Sequence, residues 1–93
     1  MTSKLSESDI RAQVRDYLRM KGWFCFHLLA GLGCYPGLSD LVAVKDGRVL
    51  FIELKTKTGR QGKKQKEFEA DLTAHGGEYL LCRGIEDLEG EGI

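Results

Sequence analysis

The stretch LVAVKDGRVLFIELK, residues 41–55, decides the fold, because two apolar runs flank the dipeptide Asp46-Gly47. Asp-Gly between apolar runs is a strong signal for a β-hairpin with a two-residue type I′ turn. Counting outward from that turn places Asp40 directly opposite Glu53. Since side chains alternate between the faces of a strand, Asp40, Glu53 and Lys55 share one face. The hairpin therefore predicts two carboxylates and one amine at its open end.

Two opposed carboxylates repel each other, because directly paired side chains have Cβ atoms roughly 4.5–5.5 Å apart. Without a partner, one of them should have a raised pKa. A divalent cation removes the conflict, and Mg²⁺ is usually held by one or two carboxylates, with water and substrate phosphate as its other ligands. Lys55 can then meet a phosphate oxygen or a metal-bound water. The alternative is that Asp40 and Glu53 are separate strand-end residues neutralised by Lys55.

The 93 residues suit a single domain, residues 1–93, built on one modest core. A helix is predicted from Glu7 to Met20, with Ser6 as its N-cap. The unbroken aromatic and apolar run 23–29 predicts a strand covered on both faces. A second helix within 63–77 and a last strand at 78–83 complete the order α-β-β-β-α-β, which predicts an α/β fold with a mixed sheet flanked by helices.

The net charge is zero, but the cations are segregated. Six fall in one short window without an acid: Lys55, Lys57, Arg60, Lys63, Lys64 and Lys66. Such a patch can bind a polyanion at one place, although a solvated surface would have the same composition.

The three cysteines, Cys25, Cys34 and Cys82, predict neither a disulfide framework nor a zinc site. The start MTSKLSESDI lacks the apolar block of a signal peptide, and no apolar run is long enough to cross a membrane. These features favour a cytoplasmic protein with reduced thiols and no membrane partner.

The chain resembles the PD-(D/E)xK nuclease superfamily and, within it, the small standalone VRR-NUC family of phage and bacterial type. The resemblance is carried by Gly37-Leu38-Ser39-Asp40, by Glu53-Leu54-Lys55 on the next strand and by Gln65 in the following helix. It extends from Glu7 to about Arg83. Ser39 departs from the pattern, because the family usually has proline there. The resemblance implies a single VRR-NUC domain with an αβββαβ restriction-endonuclease-like core.

The family pattern implies roles for the matching residues. Asp40 and Glu53 would be carboxylate ligands of Mg²⁺ or Mn²⁺, with the backbone carbonyl of Leu54 as a third ligand. Lys55 would orient or deprotonate the attacking water, and Gln65 would assist near the metal or the scissile phosphate.

Other positions keep two interpretations each. Glu7 matches an acidic family position that contacts the metal through water, but a first-turn carboxylate also suits the helix dipole. His27 is a core or edge histidine rather than a base, and Tyr35 either stacks on a base or sugar or anchors its loop. The cations that would hold flanking phosphates are Lys57, Arg60, Lys63, Lys64 and Lys66.

The resemblance implies a homodimeric, metal-dependent DNA endonuclease that is selective for branched DNA such as four-way (Holliday) junctions. Such an enzyme would act in the cytoplasm, or in that of the host if a phage encodes it. The alternatives are a non-catalytic DNA-binding module that keeps the fold, an RNA nuclease and a structural subunit. No base-reading element is evident, so we expect recognition of DNA shape over sequence.

Overall fold

The hairpin predicted around Asp46-Gly47 forms the centre of the sheet. In the computed structural model, which describes residues 5–29 and 31–93, strand β2 (Leu41–Lys45) pairs antiparallel with strand β3 (Arg48–Leu54) in the predicted register. Asp46 and Gly47 both have positive φ, 50° and 81°, as a type I′ turn requires. Residues 1–4 of the predicted domain and Ala30 of the glycine-rich loop lie outside the described residues.

The sheet has four strands in the order β1-β2-β3-β4 and is mixed. Strand β1 (Phe24–His27) pairs antiparallel with β2, and strand β4 (Glu78–Cys82) pairs parallel with β3. The parallel pair requires a crossover, which helix α2 (Lys63–Ala74) supplies. With helix α1 (Glu7–Met20) and helix α3 (Ile85–Gly90), the chain forms a compact α/β domain with helices flanking an open sheet.

Helix α1 has the bounds that the sequence predicts. The side chain of Ser6 accepts a hydrogen bond from the Asp9 backbone, and the Asp9 side chain accepts one from the Ser6 backbone, which closes a capping box. The apolar face of α1 is fully buried in the core, where Ile10, Val14 and Leu18 pack on one face of the sheet. Burying a side chain of this size stabilises the fold by roughly 1.5–3 kcal/mol.

Helix α2 covers part of the opposite face of the sheet. Its buried Phe68 contacts the rings of Phe51 on β3 and Tyr79 on β4, with ring centroids 5.9 and 6.1 Å apart. These contacts set α2 above β3 and β4. Strand β1, at the far edge of the sheet, lies outside them.

The prediction that residues 23–29 form a strand covered on both faces is wrong. The strand is shorter, Phe24–His27, and one face is open: Phe24 is 68% and Phe26 43% exposed. Only the other face, which carries Cys25, packs in the core beneath α1. The physical reason is the position of α2, which packs over the β3–β4 half of the sheet.

Cys25 and Cys82 lie buried in β1 and β4, and the thiols are free.

Among the residues that the structure describes, no helix has the length and apolar character needed to cross a membrane.

Candidate active site

Four strand ends meet at one edge of the sheet, because of how the strands pair. His27 at the end of β1 is opposite Leu41 at the start of β2, and Leu41 is opposite Ile52 on β3. Leu54 at the end of β3 lies beside Cys82 at the end of β4. We call this the site edge: it comprises His27, Ser39-Asp40, Glu53–Lys55 and Arg83.

Asp40 is fixed at the site edge by hydrogen bonds on three sides. Its backbone N–H donates to the Ile52 carbonyl at 3.0 Å, and its carbonyl accepts from Leu28 N–H at 2.8 Å. Its carboxylate oxygen Oδ2 accepts from Leu54 N–H at 2.7 Å. The Asp40 side chain thus accepts the hydrogen bond that a backbone carbonyl would accept if the β2–β3 pairing continued. This bond holds the carboxylate in one orientation.

Glu53 is the buried charged residue of the site edge, with only 2% of its surface exposed. Its Oε2 accepts a hydrogen bond from Gln65 Nε2 at 2.7 Å and lies 3.5 Å from Lys55 Nζ. Its Oε1 is buried without a hydrogen-bond partner among the described residues. Burial first, and then the charge of Asp40, raise the pKa of Glu53 to about 7, while Lys55 opposes the rise. The carboxylates therefore lie close enough to conflict, as their predicted pairing requires.

Gln65 joins the carboxylate pair to helix α2. Its side-chain oxygen accepts from Gly62 N–H at 2.8 Å and so caps the first turn, while its amide nitrogen donates to Glu53. Gly37, with φ of 81°, lies against the same turn: a Cβ there would be 2.1 Å from the Lys64 carbonyl oxygen. The loop before Asp40 and the start of α2 therefore pack closely enough to require glycine.

The cationic residues predicted to bind phosphate all lie at the surface, on the loop and first turn of α2: Lys57, Arg60, Lys63, Lys64 and Lys66. Arg83, at the end of β4, holds this loop because its Nη1 donates to the carbonyls of Thr56 and Gly59. The sequence analysis missed Arg83. Its only signal was a basic residue at the end of a strand, and its partners are 24 and 27 positions away.

The structure does not bring Glu7 into a cluster with the carboxylate pair. Glu7 is exposed and forms an ion pair with Arg11 at 3.5 Å. Within residues 5–29 and 31–93, no group of three or more His, Cys, Asp or Glu side chains is placed to hold a metal ion. The candidate protein ligands are thus the two carboxylates of Asp40 and Glu53, while the roles predicted for the Leu54 carbonyl and Glu7 stay predictions.

Tyr35 and His27 have contacts that bear on their alternatives. The Tyr35 hydroxyl donates to Asp71 at 3.2 Å and its ring lies 5.7 Å from that of Phe68, which are the contacts of a loop anchor. The half-buried His27 has its pKa lowered, chiefly by burial. Neither contact pattern assigns a catalytic role to these residues.

The donor set suits a hard divalent cation. Two carboxylates stand side by side, and one oxygen of Glu53 is buried without a partner among the described residues, so a ligand there would satisfy it. Mg²⁺ needs few protein ligands, because it keeps several waters. The residues therefore fit Mg²⁺ or Mn²⁺ better than a cation that requires a complete protein cage.

No family model, curated protein or solved structure matches the chain.

Proposed function

We propose that the protein is a metal-dependent DNA endonuclease of the PD-(D/E)xK type, similar to the VRR-NUC family. The observation that carries the proposal is the environment of Glu53. This carboxylate is buried, has a pKa raised to about 7, and lies beside Asp40 and Lys55. A buried carboxylate in conflict with a neighbour raises the free energy of the fold, so a ligand that removes the conflict supplies a reason for it.

Asp40 and Glu53, with the Leu54 carbonyl, would hold Mg²⁺ or Mn²⁺. When bound, such an ion neutralises charge on a phosphodiester and acidifies coordinated water. Gln65 keeps Glu53 oriented through its hydrogen bond to Oε2. Lys55 Nζ, within 3.5 Å of the same oxygen, is placed to donate to the attacking water or to a non-bridging phosphate oxygen.

The cationic loop, by which we mean the loop before α2 and its first turn with Lys57, Arg60, Lys63, Lys64 and Lys66, would hold the phosphates that flank the scissile bond. Its exposed lysines and arginine are available to a ligand, and Arg83 restrains the loop backbone. Phosphate contacts of this kind position DNA without reading its sequence, and they weaken steeply with salt. This supports binding without sequence reading, and branched DNA such as a four-way junction is proposed as the substrate from the family resemblance.

The predicted homodimer stays part of the proposal. The uncovered side chains of Phe24 and Phe26 on β1 support it, because a second copy related by a two-fold axis would bury the same face of each chain. Sedimentation velocity measures the mass in solution, and a monomer at high concentration would count against the dimer.

The test of the function is the change Glu53→Gln, which keeps the shape of the side chain and removes its charge. We expect Mg²⁺-dependent nicking of a four-way junction to fall by about 10²–10³-fold, the usual loss when one transition-state contact is removed. DNA binding in EDTA should be retained. The matched control is Glu78→Gln, which removes an exposed carboxylate paired with Arg48 at the other end of the sheet.

A panel of linear duplex, single strand, flap and four-way junction, each with Mg²⁺, Mn²⁺ or EDTA, identifies the substrate. RNA of matched shape, assayed in parallel, separates a ribonuclease from a deoxyribonuclease. Nicking that persists in EDTA, or that survives Glu53→Gln, would contradict the proposal.

The second candidate is a non-catalytic DNA-binding module that has kept the cationic loop. It is favoured by one observation: no third acidic, histidine or cysteine side chain joins Asp40 and Glu53 among the described residues. This module would bind DNA equally well with Glu or Gln at position 53 and would cleave none of the panel.

A further inference from the structure

Helix α1 carries a line of three arginines that the proposed site does not use. Arg11, Arg15 and Arg19 are four residues apart, so they lie along one side of the helix. The helix spans roughly 12 Å between the first and the last, at 1.5 Å per residue. We call these three residues the α1 arginine line.

The α1 arginine line runs along β1 toward the site edge. Trp23 N–H donates to the Leu18 carbonyl at 2.9 Å, so the chain reverses between α1 and β1. The Cys25 thiol lies 3.9 Å from the Arg15 carbonyl, which sets Arg15 level with the middle of β1. Arg11, one turn earlier, is therefore the member nearest to the end of β1, where β1 meets Asp40.

The charges of the α1 arginine line reach the site edge. After burial, the next causes that lower the pKa of His27 are the charges of Arg11, Arg15 and Arg19, and Asp40 acts in the opposite direction. The Nδ1 atom of His27 is buried without a hydrogen-bond partner among the described residues. Positive charge from α1 therefore acts on His27 at the β1 end of the site edge, and Asp40 opposes it.

Nearby carboxylates only partly neutralise this line. Glu7 lies 3.5 Å from Arg11, and Asp16 lies 3.0 Å from Arg15. Both pairs are at the surface, where an ion pair contributes little and a phosphate can replace the carboxylate. Arg19 is exposed.

Along the site edge the α1 arginine line and the cationic loop lie beside opposite outer strands, and α1 packs on the sheet face that Glu53 does not occupy. Along the site edge the strand ends follow the sheet order, with Asp40 and Glu53 at the two central strands. Arg83 ties the cationic loop to the end of β4, the outer strand on one side. The α1 arginine line lies beside β1, the outer strand on the other side. A phosphate backbone that meets both cationic regions therefore turns around the β1 end of the site edge, where Arg11 is the nearest arginine.

We propose that Arg11, Arg15 and Arg19 form a second phosphate-binding surface, which holds the DNA backbone on the far side of the carboxylate pair from the cationic loop. This inference rests on the proposed function and adds to it the direction in which DNA crosses the site. The length of the line, roughly 12 Å, matches about three steps of duplex at 3.4 Å per step. The expected ligand is a DNA duplex arm bound through its phosphates.

The test measures DNA binding without cleavage. A labelled four-way junction is titrated with the Glu53→Gln protein in EDTA, by fluorescence anisotropy, at several salt concentrations from 50 to 200 mM, the range over which phosphate contacts are most evident. The added change R11Q/R15Q/R19Q should weaken binding at least tenfold. It should also reduce the salt slope by about two to three, since each duplex phosphate contact contributes about 0.9.

The matched control, K45Q/R48Q, removes two cations at the hairpin-turn end of the sheet. We expect it to change affinity less than threefold and to leave the salt slope as it was. The conservative change R11K/R15K/R19K should retain most of the slope, because a lysine keeps the charge. Thermal melting checks that each variant is folded. If the triple variant does not fold, the single change Arg15→Gln takes its place, and it should reduce the salt slope by about one.

The outcomes separate this inference from the proposed function. If the arginine variant binds like its control, the second surface is overturned while nicking can still stand. If the arginine variant loses binding but Glu53→Gln still nicks, the surface is supported and the catalytic assignment fails. An unmodified protein that does not bind DNA overturns both.

Discussion

The two ends of the β-sheet satisfy their polar groups differently. At the hairpin turn, Arg48 donates to Glu78 at 2.8 Å, and Lys45 donates to the Lys21 carbonyl at 2.7 Å. At the site edge, three buried side-chain atoms have no hydrogen-bond partner within the part of the chain that the structure describes. They are His27 Nδ1, Ser39 Oγ and Glu53 Oε1.

This difference indicates where the fold has been adapted to something other than its own stability. An unsatisfied buried polar group costs roughly 1–3 kcal/mol, and native folds contain few of them. When all such groups in the described residues lie at one edge, beside two conflicting carboxylates, the edge is the place to expect a ligand. The turn end, with its exposed ion pairs, serves as an internal reference.

The largest expected difference between the two ends of the sheet is in the nicking rate after a lysine is changed at each end. Lys55→Met removes the amine next to Glu53 and should lower the nicking rate by about 10²–10⁴-fold, the usual contribution of a positioned proton-transfer group. It should also raise the pKa of Glu53 further, because Lys55 now opposes that rise. Lys45→Met, at the turn end, should leave the rate within a few-fold. Single-turnover nicking measures both, and equal losses would break the distinction between the two ends.

Two glycines with the same φ of 81° allow a second comparison. Gly37→Ala should destabilise the fold by about 3 kcal/mol, because strained backbone adds to a Cβ placed 2.1 Å from the Lys64 carbonyl. Gly47→Ala should cost only about 1 kcal/mol, since its Cβ meets no atom within 4 Å. Urea unfolding gives both values. Equal costs would mean that the loop before Asp40 does not pack tightly on α2.

The last comparison concerns the pH dependence of stability. The pKa of Glu53 is raised from 4.5 to about 7, so between these values the native state binds more protons than the unfolded state. The free energy of unfolding contributed by Glu53 must then fall as pH rises through that window. Relative to Glu53→Gln, the unmodified protein should lose about 3 kcal/mol between pH 4.5 and pH 8 without metal.

Chemical denaturation at four or five pH values measures that difference, and Glu78→Gln is again the control. Mg²⁺ should restore part of the loss at pH 8 in the unmodified protein and none in Glu53→Gln. A stability difference that stays flat with pH would show that Glu53 is not protonated near neutrality.

Local signals predicted the elements on which the site stands. The bounds of α1 follow from Ser6 and Gly22, and the register of β2 and β3 follows from the Asp46-Gly47 turn. Both depend on residues within a few positions of one another. The electrostatic repulsion between the Asp40 and Glu53 carboxylates follows from the register of β2 and β3 alone.

The features that the sequence analysis predicted wrongly or missed depend on packing between elements that are distant in the sequence. The open face of Phe24 and Phe26 could not be predicted, because it depends on α2 packing over β3 and β4. Arg83 was missed for the same reason: its acceptors are loop carbonyls brought near only by the parallel β3–β4 pair. The role predicted for Glu7 stays a prediction, and its ion pair with Arg11 is a local contact between residues four positions apart.

The side chain of Gln65 links the start of helix α2 to the Glu53 carboxylate. The same amide closes the first turn of α2 at Gly62 and fixes the orientation of Glu53. The start of that helix and the orientation of the Glu53 carboxylate are therefore coupled. A local opening of the helix start, visible as faster amide hydrogen exchange there, would release Glu53 from its hydrogen bond while the sheet stays folded.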